Sequence, residues 1–232
     1  MSLYQQIREE ACTANKQLPV LGLVLFNFGN LSVVDRQKAV FAIKPSGIPY
    51  EELSPEKMVI VDFEGKKVEG NLKPSSDTLT HAVLYKNWGN IGAIVHTHST
   101  YATAWAQAQR AIPIYGTTHA DHFTGPIPCA PPMPDEMIRG NYEYETGNQI
   151  INHLKEKKLS YEEVEMILIA SHAPFTWGKN AAKALYNSAV LESIAQMALL
   201  TEQINSNAST LKQALIQKHF ERKHGPDAYY GQ

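Results

Sequence analysis

Residues 21–68 read LGLVLFNFGNLSVVDRQKAVFAIKPSGIPYEELSPEKMVIVDFEGKKV and contain three short apolar segments bounded by turn residues. The segments are 21–28, 39–43 and 58–63. Glu64-Gly65 predicts a hairpin turn from the third segment into Val68. Three β-like segments in succession, with no helix between them, favour antiparallel pairing over repeated strand–helix–strand units.

The rest of the chain combines helical patterns with two further apolar strands. The predicted strands are 91–98 and 165–171. The predicted helices are 3–18, 75–86, 102–109, 146–157, 181–204 and 209–223. Pro19 stops the first helix, and Ser75 or Ser76 caps the second. Residues 110–142 hold six prolines and predict strands and loops. No repeat or linker divides the chain, so we expect one mixed α and β domain over residues 1–232.

The composition is that of an ordinary globular protein and excludes several classes. The chain has 232 residues, 44% hydrophobic and 19% charged, with a formal net charge of −2. It has no basic excess for nucleic acid, no polybasic run for an anionic membrane and no apolar stretch of bilayer length. Its start lacks a signal-peptide pattern, and Cys12 and Cys129 are far apart. We therefore expect reduced thiols in the cytoplasm.

Three histidines stand where two predicted strands end. His96 and His98 are two residues apart, so on a strand their side chains point to the same face and can ligate Zn²⁺ or a similar ion. His172 follows the strand 165–171 and would complete a three-histidine set with open positions for a substrate. The alternative is that all three are structural histidines at strand ends.

Two short motifs are suited to an anion. Lys73-Pro-Ser-Ser-Asp77 places Ser75 and Ser76 at a helix start, where hydroxyls and unpaired N–H groups can bind a phosphate. Lys44-Pro-Ser46-Gly47 combines a cation, a hydroxyl and a glycine, and Asn30 is a further possible contact. Simple helix capping and turn formation are the alternatives.

A third polar cluster, His119-Ala-Asp121-His122, falls in the proline-rich region. It could form a metal site of its own, or Asp121 could be a general acid or base. The chain ends in Tyr229-Tyr230-Gly-Gln, and two adjacent tyrosines there favour docking, for example against another subunit.

The sequence lacks several well-known motifs. It contains no GxGxxG, GxxxxGK[ST], HExxH or GxSxG pattern. Their absence weighs against a Rossmann dehydrogenase, a P-loop NTPase, a thermolysin-like protease and an α/β-hydrolase.

The ordered set of motifs nevertheless resembles a known family. The set is Phe28-Gly-Asn-Leu-Ser, Ile43-Lys-Pro-Ser-Gly, Lys73-Pro-Ser-Ser-Asp, Ile94-Val-His-Thr-His-Ser, Gly116-Thr-Thr-His-Ala-Asp, Ser171-His-Ala-Pro-Phe-Thr-Trp-Gly and the final Tyr-Tyr-Gly-Gln. It resembles the class II aldolase superfamily, most closely its L-ribulose-5-phosphate 4-epimerase branch. The resemblance covers nearly the whole chain.

This resemblance implies a single α/β domain with a central, mainly antiparallel sheet flanked by helices. It implies a homotetramer with sites between subunits, a sugar-phosphate substrate and a divalent metal, with Zn²⁺ the first expectation and Mn²⁺ or Co²⁺ as alternatives. The implied metal ligands are Asp77, His96, His98 and His172. The implied phosphate and substrate contacts are Asn30, Lys44, Ser46, Gly47, Ser75 and Ser76. The implied acid and base are Asp121 and Tyr230 from a neighbouring subunit, and His219 matches a further functional histidine.

The resemblance also indicates the reaction. Phosphate-sugar aldolases of the superfamily carry a glutamate after the two serines, whereas this chain has Asp77, as the epimerases do. We therefore expect epimerisation of a ketopentose phosphate by cleavage and re-formation of a carbon–carbon bond. The alternatives are an aldolase that releases dihydroxyacetone phosphate and a non-catalytic assembly module of the same fold.

Overall fold

An eight-stranded sheet runs through the computed structural model, which describes residues 2–226 together with Ala228 and Tyr229. Its strands are β1 (Asn30–Asp35), β2 (Val40–Ile43), β3 (Val59–Asp62), β4 (Lys67–Glu69), β5 (Ala93–His96), β6 (Cys129–Ala130), β7 (Met166–Ile169) and β8 (Pro174–Gly178). The spatial order is β4-β3-β2-β1-β5-β8-β7-β6. Among these pairings only β6 with β7 is parallel. The expected mainly antiparallel central sheet is confirmed.

Helices cover both faces of this sheet. They are α1 (Gln5–Val20), α2 (Thr78–Asn87), α3 (Thr100–Gln107), α4 (Thr117–Ala120), α5 (Asp135–Arg139), α6 (Tyr142–Glu156), α7 (Ala181–Ile204) and α8 (Gln213–His224). Helices α2 and α6 contribute to the core on one face, and α1 and α7 contribute to the cores on the other. No helix in the described part of the chain is both long and apolar enough to cross a membrane.

Alternating side chains of the strands divide the core between the two faces. Phe41 and Ile43 of β2 pack in the cluster that includes α2, whereas Ala42 between them packs in the cluster that includes α1. Because successive residues of a strand point to opposite faces, both faces of the sheet are apolar. The sheet therefore forms the rigid middle layer on which the loops at its edge are placed.

The strand predicted over residues 21–28 is wrong. That segment is a loop, and β1 begins only at Asn30. The backbone takes positive φ angles at Gly22 (68°), Phe26 (52°) and Gly29 (75°), which an extended strand does not allow. A Cβ on Gly29 would lie 2.8 Å from the His96 carbonyl oxygen, so this close approach of two chain segments also requires glycine.

Several predicted boundaries are also wrong. Helix α1 continues through Pro19 to Val20, because a proline in the last turn removes only one hydrogen bond. Asp77, not Ser75 or Ser76, occupies the N-cap position of α2, which begins at Thr78. The strand predicted to run through His98 ends at His96.

Candidate active site

Three histidines meet at the end of strands β5 and β8. His96 is the last residue of β5, His98 lies two residues beyond it, and His172 lies in the turn between β7 and β8. Each offers one ring nitrogen, and these three nitrogens lie within 4.8 Å of one another. Antiparallel pairing of β5 with β8, in which His96 pairs with Phe175, brings the two distant segments together. The arrangement can hold one metal ion.

Hydrogen bonds orient two of the three imidazoles. His96 Nδ1 lies 3.0 Å from the Pro174 carbonyl oxygen, which can only accept, so His96 carries its proton on Nδ1. His172 Nδ1 lies 3.2 Å from the Tyr142 hydroxyl. In both rings Nε2 is left as the second nitrogen, and a partner on Nδ1 is the usual means of orienting a metal-ligating histidine.

The environment also favours neutral imidazoles. Burial, together with the nearby His96, lowers the pKa of His172 to about 3 and places the pKa of His98 below its usual range. Since a histidine ligates a metal through an unprotonated nitrogen, these rings are in the form that a cation requires at neutral pH. The donor set therefore fits a divalent metal such as zinc.

Asp77 lies beside the histidines but outside their close group of nitrogens. Its Oδ2 accepts a hydrogen bond from Asn30 Nδ2 at 2.6 Å and a longer one, 3.4 Å, from Ser75 Oγ. Burial on its own would raise the pKa of Asp77, but charge interactions with His96 and His81 and the bond from Asn30 outweigh it and lower the pKa. The carboxylate is therefore ionised and next to the triad.

One cavity of about 540 Å³ joins the histidines to both anion motifs. It is lined by Asn27, Phe28, Gly29, Asn30, Lys44, Pro45, Ser46, Gly47, Ser75, Ser76, Asp77, His96, His98, Tyr142, Glu143 and His172. All ten residues predicted to bind metal, phosphate or substrate are among them. We call this space the main cavity.

The two anion motifs form one wall of the main cavity. Ser46 N–H donates to the Lys73 carbonyl oxygen at 2.9 Å, and Ser75 N–H donates to the Lys44 carbonyl oxygen at 3.0 Å. These reciprocal bonds hold the loops 44–47 and 73–77 together. Gly47, with φ of 74°, would present an added Cβ to open space, so its role is to make the turn.

Lys44 supplies a buried cation to this wall. The side chain is only 2% exposed, and its Nζ donates to the carbonyl oxygens of Asn27 (3.1 Å) and Pro45 (3.4 Å). It also lies 4.8 Å from the centre of the Tyr50 ring. Burial lowers the pKa of Lys44 to about 8. Carbonyl oxygens and an aromatic ring do not neutralise the charge of a buried ammonium, so this side chain favours the binding of an anion.

The side chain of Asn30 also has a polar atom at the cavity that is available to a ligand. Its Oδ1 is buried and lacks a hydrogen-bond partner within the described residues, although its Nδ2 is bound to Asp77 and Ser75. A buried acceptor of this kind favours a ligand that donates a hydrogen bond, such as a sugar hydroxyl.

Asp121 and His219 form a separate cluster that does not line the main cavity. His219 Nδ1 lies 3.1 Å from Asp121 Oδ1, and Arg222 donates to both carboxylate oxygens, at 3.0 and 2.8 Å. Burial would raise the pKa of Asp121, but the hydrogen bonds from Arg222 and His219 outweigh it and lower the pKa. Tyr230 lies outside the described residues.

Three residues that the structure brings into these clusters were not predicted from the sequence. Tyr142 and Glu143 line the main cavity from the first turn of α6, and Arg222 binds Asp121. The helical pattern predicted a helix that begins at residue 146, one turn too late, so neither cavity residue was expected on a helix. Position at the start of a helix was the signal that could have drawn attention to them.

Comparisons with known proteins agree with this geometry. Residues 9–199 match the family described as class II aldolase and adducin N-terminal domain. Proteins from Salmonella paratyphi A and Salmonella typhi, both called L-ribulose-5-phosphate 4-epimerase UlaF, are 47% identical over 228 residues, which is 98% of this chain and 99% of theirs.

Solved structures show the same fold at lower sequence identity. An L-fuculose 1-phosphate aldolase superposes with a TM-score of 0.77 at 24% identity, covering 96% of this chain and 97% of its own. An aldolase II superfamily protein from Pseudomonas syringae gives a TM-score of 0.78 at 17% identity, covering 98% and 90%.

Proposed function

This chain belongs to the class II aldolase family, and from that premise we propose that it is a metal-dependent epimerase that interconverts L-ribulose 5-phosphate and D-xylulose 5-phosphate. The main support for the proposal is that a three-histidine cluster and the buried cation of Lys44 line the same cavity. The 4-epimerases that are 47% identical over nearly the whole length support the choice of substrate.

The chemistry explains why such an enzyme needs an aldolase-like site. The C4 hydrogen of a 2-ketopentose is not adjacent to the ketone, so removing it would leave an unstabilised carbanion. Breaking the C3–C4 bond instead leaves the enediolate of dihydroxyacetone and an aldehyde, glycolaldehyde phosphate. If the aldehyde turns its other face before the bond re-forms, C4 is inverted and no atom is gained or lost.

We assign the metal site to His96, His98 and His172, with Asp77 as the carboxylate ligand. The donor set suits Zn²⁺, with Mn²⁺ and Co²⁺ as alternatives. A bound divalent cation would supply the electron sink for the enediolate. The residues themselves bring three imidazoles and one ionised carboxylate to the same cavity.

We assign the phosphate to the wall formed by the two anion motifs. Lys44 would supply the cation, and Ser46, Gly47, Ser75 and Ser76 would supply hydroxyl and backbone donors. Asn30 would accept from a substrate hydroxyl through its free Oδ1. Held in this way, the phosphate end would stay in place while the aldehyde group turns about the adjoining bond.

Proton transfer at the C4 oxygen needs one group on each side of it. We propose Asp121 and Tyr230 for these roles, with His219 holding Asp121 through their 3.1 Å contact. Because Asp121 lies outside the main cavity of its own chain, we propose that it acts in the cavity of a neighbouring subunit of a homotetramer.

The exposed surface supports assembly. Apolar side chains that remain more than half exposed include Leu25, Phe26 and Phe28, in the loop that borders the main cavity. Such a patch beside a site is typical of a subunit interface. Two free cysteines, Cys12 and Cys129, support a reducing compartment, and we place the protein in the cytoplasm.

A coupled assay tests the proposal. We expect purified protein loaded with Zn²⁺ or Mn²⁺ to interconvert the two ketopentose phosphates, and chelator treatment to abolish the reaction until metal is restored. Release of dihydroxyacetone phosphate from a ketose 1-phosphate, without epimerisation, would identify an aldolase instead. No turnover together with no bound metal would identify a non-catalytic module.

A further inference from the structure

Helix α2 docks on strand β1 through a row of polar side chains. Asp77, His81 and Tyr85 are four residues apart and lie on one face of the helix. Asn30 and Ser32 are two apart on β1 and face them. Asn30 bonds Asp77, and Ser32 Oγ lies 2.7 Å from both His81 Nδ1 and the Tyr85 hydroxyl.

The hydrogen atoms in this row can be counted. The Tyr85 hydroxyl donates to the Ser32 carbonyl oxygen at 3.0 Å, which uses its one hydrogen. The 2.7 Å contact between the two hydroxyls must then use the hydrogen of Ser32 Oγ. Ser32 Oγ has none left to give to His81, so His81 Nδ1 must be the donor.

This count fixes the tautomer of His81. Nε2 is fully buried and has no hydrogen-bond partner within the described residues, so a second proton there would leave a buried N–H group unpaired. The ring therefore holds a single proton, on Nδ1, and Nε2 bears only a lone pair.

His81 lies next to Phe175, which packs against residues of the proposed metal site. Its ring packs edge-on against Phe175 at 6.3 Å, and the ring of Phe175 also contacts His96, stacked at 4.2 Å, and His172, edge-on at 6.2 Å. Helical side chains lean towards the N-terminus, so His81 leans towards Asp77 one turn earlier.

We propose that Ser32 and Tyr85 are positioning residues that hold His81 in its Nδ1–H tautomer. In this tautomer His81 presents no hydrogen-bond donor to the side of Asp77 that faces away from the cavity. The inference rests on the proposed role of Asp77 as a metal ligand. In the opposite tautomer, Nε2–H could donate to the carboxylate, draw it away from the cavity and compete with the cation for its charge. Among the described residues, the side-chain hydrogen bonds that Asp77 accepts, from Asn30 and Ser75, end on Oδ2, so Oδ1 would be available to a metal.

The first test reads the tautomer in the metal-free protein. The protein is labelled with nitrogen-15 in its histidine rings, and NMR spectra then distinguish protonated from unprotonated ring nitrogens. The signals of His81 are those that disappear in the His81→Asn variant. We expect a protonated Nδ1 and a bare Nε2. In Tyr85→Phe, Ser32 can donate to Nδ1, and we expect Nε2 to become protonated. A protonated Nε2 in the unaltered chain would overturn the inference.

The second test measures zinc affinity by competition with a coloured chelator. His81→Asn keeps a donor to Ser32 and puts nothing at the Nε2 position, so affinity should stay within about twofold of the unaltered chain. His81→Gln places an amide donor there and should weaken binding about tenfold, the usual scale for groups behind a metal ligand. Tyr85→Phe should weaken it in the same direction.

Thr176→Val provides a matched control, because it also removes one buried hydroxyl, whose bond goes to the Ala184 carbonyl oxygen on α7. It should leave zinc affinity unchanged. Equal affinity of His81→Asn and His81→Gln, in a chain that binds zinc, would contradict the inference and leave the proposed function standing. Failure of the unaltered chain to bind zinc would instead contradict the proposed function, and this inference with it.

Discussion

His96 Nδ1 donates to the carbonyl oxygen of Pro174 over 3.0 Å, and this bond joins the last residue of β5 to the first residue of β8. Pro174 lies two residues after His172. A single hydrogen bond thus orients the His96 ring and links it to the segment that carries His172. The metal site we propose is therefore anchored where two strands of the sheet pair.

Replacing Asp77 by Asn should weaken metal binding. The amide keeps the size of the side chain but removes the negative charge beside the three imidazoles, so we expect a loss of at least about tenfold in affinity. Metal analysis after dialysis, with a titration of Zn²⁺, measures it. Asp35→Asn, at the far end of the same strand as Asn30, is the control and should bind as before. Unchanged metal affinity of Asp77→Asn would remove it from the ligand set.

Replacing Lys44 by Met should weaken sugar-phosphate binding. A charge-assisted hydrogen bond contributes about 1.5–3 kcal/mol, so KM should rise roughly tenfold or more, with metal content unchanged. Steady-state rates at varied substrate and fixed metal concentration measure the effect. An unaltered KM would place the phosphate elsewhere.

Sugar-phosphate affinity should also depend on pH through Lys44. Its pKa in the free protein is about 8, so the side chain is the cation that attracts phosphate below that pH and loses its proton above it. Affinity should therefore fall as pH rises through about 8. Lys44→Met should lose this dependence, and a pH profile that is the same in both proteins would refute the assignment.

Replacing Tyr142 by Phe should loosen His172. The ring loses its 3.2 Å partner on Nδ1, and we expect metal affinity to fall by about tenfold with little change in thermal stability. Tyr144→Phe, an exposed tyrosine on the same helix, is the matched control. Equal metal affinity in the two variants would show that Tyr142 does not orient the ligand.

Mixed assemblies should reveal whether two subunits share each site. His172→Ala removes a metal ligand from one chain, and Tyr230→Phe removes the proposed acid or base from another. Each variant alone should be nearly inactive. Oligomers that contain both should recover roughly a quarter of the activity, because some interfaces then combine two intact halves. Mixtures with no recovery, although the chains exchange, would place every group in one subunit.

The location of the triad follows from a local argument that the sequence supports. His96, His98 and His172 all stand at or just beyond the ends of apolar strands, and neighbouring antiparallel strands bring such ends together. The same kind of argument gave a wrong prediction for the segment before β1. Residues 21–28 are as apolar as a strand, but the positive φ angles at Gly22, Phe26 and Gly29 turn it into a loop.

Other features depend on contacts between distant parts of the chain, which local patterns do not encode. Strand β1 begins with Asn30 and Ser32, polar residues that indicate a turn but that bond Asp77 and His81 on a helix more than forty residues later. The pairing of Asp121 with Arg222 similarly joins residues 101 positions apart. The expected homotetramer is implied by the family resemblance and not by any local pattern.

We propose that the C3–C4 bond is broken and re-formed in the site around His96, His98 and His172. This step can be tested by supplying the two fragments, dihydroxyacetone and glycolaldehyde phosphate, to metal-loaded protein and analysing the products. We expect slow condensation to both L-ribulose 5-phosphate and D-xylulose 5-phosphate, and none with His172→Ala. A protein that epimerises the intact sugar phosphates but never joins the fragments, even at high concentration, would contradict cleavage of the C3–C4 bond.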